Sequence, residues 1–179
     1  MKTLLVGKKI DLTSFMDKDI VEIEKWYNDT YFLRFFDTRP ALPHSRNEIT
    51  NEIDEIKKSR DKYGFAIRDK ETGNIIGTCG FEDIQWNNST AVVYIGIGNT
   101  EYIHKGVGRE ALNLLVEFGF YELNLYRIQL NVIAYNEKAI KLYEMTGFRK
   151  EGVYREFVNR DGRRFDMYLY GILRTEWEK

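Results

Sequence analysis

The chain has 179 residues and a mass of 21.2 kDa, with 43% hydrophobic and 31% charged residues, a balance that fits one folded domain and argues against disorder. A formal net charge of -1 supplies no global field for nucleic acid, and no apolar run approaches the roughly 20 residues of a membrane span. The lone Cys79 excludes an intrachain disulfide, and one cysteine with two scattered histidines (His44, His104) leads us to expect no metal site.

The first nine residues lack the apolar region and cleavage site of a secretory leader, so a cytoplasmic protein is expected. A first strand is predicted over Leu4 to Thr13. Asp17 reads as the N-cap of a helix carrying Ile20, Ile23 and Trp26. Tyr27 to Pro43 is aromatic and irregular, with Pro40 and Pro43 arguing against a long helix. Ser45 and Glu48 form a capping-box pattern before a helix with Ile49, Ile53 and Ile56 on one face.

A meander of strands follows, over Tyr63 to Asp69, Ile75 to Ile84 and Ala91 to Gly98, with turns at Glu71–Asn74 and Asn87–Ser89. A glycine loop then opens a helix that runs to about Glu122. Arg127 to Ala134 alternates like a strand, and Asn136 caps a helix that ends at Gly147. Two last strands, about Val153 to Asn159 and Phe165 to Gly171, pair around Asp161-Gly162. No repeat or linker interrupts the chain, so residues 1–179 read as a single α+β domain: an antiparallel meander with one βαβ crossover in its second half.

The densest chemical signal is Tyr102-Ile103-His104-Lys105-Gly106-Val107-Gly108-Arg109-Glu110-Ala111. Two glycines at a strand-to-helix junction allow a tight turn and close ligand approach, and the helix N-terminus that follows suits a phosphate. The stretch also fits the dinucleotide pattern G-x-G-x-x-G/A. An oxidoreductase with that pattern requires repeated βαβ units and an acidic residue after the next strand, where Ala134-Tyr135-Asn136 stands. A Walker A loop is excluded, because no G-K-[ST] occurs.

At these residues the chain resembles the GCN5-related N-acetyltransferases, over about Leu4 to Trp177. The family's pyrophosphate loop Q/R-x-x-G-x-G/A maps onto Ile103-His104-Lys105-Gly106-Val107-Gly108, with Ile103 in place of the usual Gln or Arg. Asn136 to Phe148 matches its N-x-x-A-x-x-L-Y-x-x-x-G-F block. The tail Gly108-Arg109-Glu110-Ala111-Leu112 is similar to the branch of ribosomal-protein-alanine N-acetyltransferases and related acetylases of small amines. The resemblance implies a three-layer α/β/α fold around a mixed, mostly antiparallel sheet of about seven strands.

It further implies acetyl-CoA as co-substrate, bound by the loop residues Ile103 to Gly108 with Arg109, Asn136 and Tyr143. Backbone near Ile95, Ile97 and Gly98 would hold the pantetheine arm and polarise the thioester. Tyr143 is the implied proton donor, since a phenol of pKa about 10 can protonate a thiolate whose acid is near 8.5. Its alternative role is a packed core tyrosine, as N-capping alone would explain Asn136. No Glu occupies the central strand, which reads Val92-Val93-Tyr94, so Glu82 and Asp83 are the nearest general-base candidates. Direct attack by an already neutral amine needs no base at all.

The acceptor is expected to be an amine, either a protein N-terminus or a small molecule such as a polyamine or aminoglycoside. Its pocket should be shaped by Trp26 to Arg39 and the final hairpin. No acidic run in the sequence selects a polycation. A non-catalytic acyl-CoA sensor on the same fold is the other functional class. No nucleic acid or membrane partner is expected, and the chain is expected to be a monomer or homodimer.

Overall fold

A computed structural model describes residues 3–177. One seven-stranded sheet in the order β1-β2-β3-β4-β5-β7-β6 organises the molecule. Its strands are β1 (Ile10–Thr13), β2 (Tyr63–Asp69), β3 (Ile75–Gln85), β4 (Thr90–Ile97), β5 (Arg127–Ile133), β6 (Arg149–Arg160) and β7 (Arg163–Leu173). All neighbours are antiparallel except β4 and β5, which run parallel because a helix connects them. The expected α+β architecture with a mixed, mostly antiparallel sheet is therefore present.

Helices cover both faces. On one lie α1 (Ile20–Tyr27), α2 (Thr30–Phe36) and α3 (Arg46–Lys58), with Ile23, Trp26, Ile49 and Ile53 buried against Ala66 and Ile75. On the other lie α4 (Val107–Tyr121) and α5 (Glu137–Thr146). There Leu112, Leu115 and Phe120 pack with Phe81 and Ile128 in the larger core cluster. Alternation along β3 and β4 sends Cys79, Phe81 and Val93 into that core, while Thr78, Gly80 and Tyr94 face α1–α3. A short α6 (Arg174–Trp177) closes the described chain.

Four local expectations change. The strand predicted over Leu4 to Thr13 is a tight reversal followed by β1. Leu5 has φ 67°, Leu12 N donates to Leu5 O at 2.9 Å, and Glu110 of α4 accepts from the Lys8 and Lys9 amides. Asp17 starts a 3₁₀ turn and caps nothing; Asp19 instead accepts from the Met16 amide at 2.9 Å. Tyr27 to Pro43 contains the regular helix α2, capped by Asp29, whose aromatic run masks the three-four periodicity. β6 begins at Arg149, since register shifts at Lys150/Gly152 and Tyr154/Val158 break the period-two pattern by which its start would be read. The hairpin signal holds: Asp161 and Gly162 both have positive φ, 52° and 73°.

Asp19 also carries the most buried ion pair among the described residues, with the Arg68 guanidinium 2.7 Å away and side chains 2% and 9% exposed. Arg68 further reaches Thr13 Oγ1 at 3.0 Å and Gly73 O at 3.1 Å, joining β1, the turn after β2 and the start of α1. Removing one partner strands a charge away from water. Asp19→Ala is expected to destabilise the fold by about 3 kcal/mol in urea unfolding. An effect under about 1 kcal/mol would mean that water reaches Arg68.

Candidate active site

β4 and β5 pair over three positions only, Thr90–Val92 with Arg127–Gln129. Beyond Val92 each strand stays with its outer neighbour: β4 with β3 as far as Gly77↔Ile97, and β5 with β7 as far as Ile133↔Met167. The two strands thus splay apart at the centre of the sheet. Gly98 N donates to Ile76 O at 3.0 Å, on the β3 side. Successive amides of an extended strand point to opposite edges, so the Ile95 and Ile97 amides face the edge that β5 has left.

The glycines of β4 have a packing cause. A Cβ on Gly96 would lie 2.7 Å from Phe36 Cε2, and one on Gly98 would overlap the Trp26 indole. These positions are bare because aromatic rings of α1 and α2 pack directly on the strand. The ladder to β3 is unbroken there, its irregularity falling between Glu82 and Gln85.

The glycine loop follows directly. Asn99 Oδ1 accepts from the Glu101 amide at 3.0 Å, and Tyr102 donates to Asp69 Oδ2 at 3.0 Å, fixing the approach. His104 and Gly106 are both left-handed, with φ 66° and 81°, on either side of Lys105. Lys9 Nζ holds the Lys105 carbonyl at 2.9 Å. Gly106 is the N-cap of α4 and has no side chain to cover the first-turn amides, whereas Ser45 caps α3 and Asn136 caps α5. Gly108, in the first turn of α4, lies beside Ile97 and Leu142. A Cβ on Gly108 would meet both at an ordinary 3.7 Å, so internal packing does not demand glycine there. Such a loop fits a diphosphate held by backbone amides. Ile103 is 37% exposed and Val107 is buried, so these two offer backbone only. Arg109 donates to Met145 O at 3.3 Å, tying α4 to α5.

Across the splay stands α5. Asn136 Oδ1 accepts from the Ala139 amide and its Nδ2 donates to Phe35 O, both at 3.2 Å, so its side chain joins α5 to α2. Tyr143 is 7% exposed and edge-on to Phe148 at 6.0 Å. Burial alone pushes its phenol up to about 12.

A cavity of about 690 Å³ occupies the splay and extends under α1–α3. Tyr143, Asn136, Ile95 and Glu82 all line it, so residues far apart in sequence meet around one space. Desolvation raises the Glu82 carboxyl above the ordinary 4.5, with Lys62 opposing it. The rings of Tyr27, Phe36 and Tyr94 form a wall, with centroids 6.1 and 6.4 Å apart along the series. Burial, then the nearby Glu52 charge, pushes the Tyr27 phenol up to about 12. Asp37, Glu52, Glu55 and Glu82 also face the cavity, against Arg39 and Lys62. Sequence reasoning missed Glu52, Glu55 and Tyr94 because a helix face and a strand face converge only on folding. Asp83 has φ 50° in the strand irregularity and is absent from the cavity lining.

A family model described as an acetyltransferase (GNAT) domain matches residues 12–169. The spermidine N(1)-acetyltransferase of Vibrio cholerae is 33% identical over 146 residues, covering 78% of this chain and 83% of that protein. The ribosomal protein uS5-alanine N-acetyltransferase of Escherichia coli strain K12 is 25% identical, covering 98% of this chain and 93% of that one. Among solved structures, the Vibrio cholerae spermidine N-acetyltransferase in complex with CoA and spermine superposes with a TM-score of 0.87 at 25% identity, covering 96% and 99% of the two chains.

Gly106→Ala tests the loop. Open space surrounds a Cβ there, so the substitution strains only φ, by about 1–2 kcal/mol. Calorimetric titration with CoA is expected to show roughly tenfold weaker binding, with the thermal midpoint shifted by a few degrees. Unchanged CoA affinity would separate the loop conformation from ligand binding.

Proposed function

The chain belongs to the GNAT acetyltransferase family and is an N-acetyltransferase, and from that premise we propose that it transfers acetyl from acetyl-CoA to a small, polycationic amine by direct attack. The observation that carries the acceptor is the charge of the cavity: four carboxylates, Asp37, Glu52, Glu55 and Glu82, against two cations, in an aromatic-walled space. Carboxylates stabilise ammonium groups, and the faces of Tyr27, Phe36 and Tyr94 add cation–π attraction. The likeness to a spermidine acetyltransferase supports the same class.

On this reading the uncapped first turn of α4 and the loop Ile103 to Gly108, with Arg109 beside them, bind the diphosphate of the donor. The pantetheine arm lies along β4 beside Ile95, Ile97 and Gly98, as a short extra strand would. The Ile95 and Ile97 amides then stabilise the negative charge that develops on the thioester oxygen when the amine adds. Glu82, raised by desolvation, removes a proton from the incoming ammonium, directly or through water. Tyr143 supplies a proton to the departing thiolate. Its high proton affinity does not defeat the transfer, because a thiolate in the same low-dielectric space is raised by the same burial. Asn136 acts by holding α5 against α2, which places Tyr143 opposite β4.

Thiol release from acetyl-CoA, measured against spermidine, an aminoglycoside and a peptide with N-terminal alanine, tests the acceptor. Spermidine is expected to have the highest kcat/KM by at least about tenfold, since two or more ammonium groups meet the carboxylates. A preference for the alanine peptide would transfer the reading to protein N-termini, and CoA binding without turnover on any amine would favour a sensor.

Tyr143→Phe is expected to lower kcat about 10²-fold with CoA affinity retained. Glu82 works as a base only when ionised, so kcat/KM falls as pH drops through a carboxyl pKa raised above 4.5. Glu82→Gln should lower the rate and abolish that acid limb. A limb that persists in the variant belongs to another group.

A further inference from the structure

The tip of the last hairpin reaches the wall of the cavity. Arg160, the final residue of β6, donates from Nη2 to the carbonyls of Asp37, Thr38 and Arg39 at 3.0, 3.2 and 3.3 Å. All three of those residues line the cavity. They lie just past the end of α2, where carbonyls have left the helical hydrogen-bond ladder. Next to Arg160, Asp161 pairs with Arg34 of α2 at 2.5 Å, and Tyr135 donates to the Arg34 carbonyl.

These contacts differ in what they can fix. Asp37 and Arg39 bind each other, Arg39 Nε lying 2.6 Å from Asp37 Oδ2. That bond is internal to the segment and does not set where the segment sits. Desolvation alone would raise the Asp37 carboxyl, but the Arg39 amide and guanidinium outweigh it and keep it below the ordinary value. The Arg34–Asp161 pair is exposed, where ion pairs contribute little. Among the described residues, Arg160 alone is hydrogen-bonded to all three wall carbonyls and joins them to the sheet. Its Nε is buried without a hydrogen-bond partner, a cost accepted in an orientation that directs Nη2 at the carbonyls.

We propose that Arg160 is a positioning residue for the amine acceptor: by holding three consecutive carbonyls it keeps Asp37, Thr38 and Arg39 against the cavity. The hairpin tip thereby sets the strength of acceptor binding without touching the donor site. The inference rests on the reading of this cavity as the acceptor site. It predicts a division of effects. The hydrogen bonds of Arg160 go to the carbonyls of Asn159, Asp37, Thr38 and Arg39 and not to the loop at Gly106 or the open edge of β4, so donor binding should not respond. The acceptor should respond, because the Asp37 charge and the ring of Phe36 just before it belong to its wall.

The test uses Arg160→Met and Arg160→Lys, with spermidine as acceptor probe and hydrogen exchange at Thr38 and Arg39. A lysine ammonium carries three donors and can serve the three carbonyls. Arg160→Met is expected to raise KM for spermidine about tenfold, leaving kcat and KM for acetyl-CoA within about twofold, and to speed exchange at both amides. Arg160→Lys should bring KM back to within about threefold of wild type. An unchanged spermidine KM in Arg160→Met overturns the proposal, as does an equal loss in every kinetic parameter with a lowered Tm. If wild type does not acetylate spermidine, the acceptor reading fails, and exchange at Thr38 and Arg39 still judges the clamp. Unchanged exchange there in Arg160→Met refutes it.

Discussion

The early end of the pairing between β4 and β5 is the constraint from which the rest of the site follows. Three residue pairs join the strands, and then each is drawn away by a longer commitment on its other side. β5 runs beside β7 for its full length, and β4 stays with β3 through Ile97. A twisted sheet in which two central strands follow different outer neighbours must open between them. The opening leaves backbone donors of β4 unpaired by any strand, which would be costly in a closed core. Here Ile95 borders a cavity, and on the proposed reading a ligand backbone of matching hydrogen-bond pattern would complete the edge.

The helical layers keep the opening from collapsing. α5 rests on one flank, with Asn136 spending both ends of its amide on its own helix and on α2. On the other flank the rings of Trp26 and Phe36 lie on Gly98 and Gly96, so the strand that presents the donors is clamped by aromatic packing. The same bareness that admits those rings lets the layer sit close to the open edge of β4. Packing alone therefore accounts for glycine at both positions, whatever the strand also binds.

Electrostatics enters at the level of assembly. No segment of the chain is notably acidic and the net charge is only -1. The cavity gathers carboxylates from the end of α2, from α3 and from the end of β3, and leaves most of the basic residues elsewhere. A local excess of carboxylates thus arises in a nearly neutral protein, acting across a partly desolvated space where screening is weaker than in bulk water.

Much was legible in the residues themselves. The turn Asp161-Gly162 demands two left-handed positions, Ser45 and Glu48 demand a helix start, and Asn136 to Gly147 carries a helix from cap to stop; each rests on contacts a few residues apart, so local sequence determines it. The glycine loop likewise announced its left-handed turn and helix start through local backbone preference alone. The tertiary structure decided what depends on distant partners. Lys8 and Lys9 turn back because Glu110 receives their amides, Asp19 rather than Asp17 is drawn inward because Arg68 is buried beside it, and Glu52, Tyr94 and Asp37 meet only where α3, β4 and the end of α2 converge. Periodicity reports which face of an element is buried, and it carries no information about which other element that face will meet.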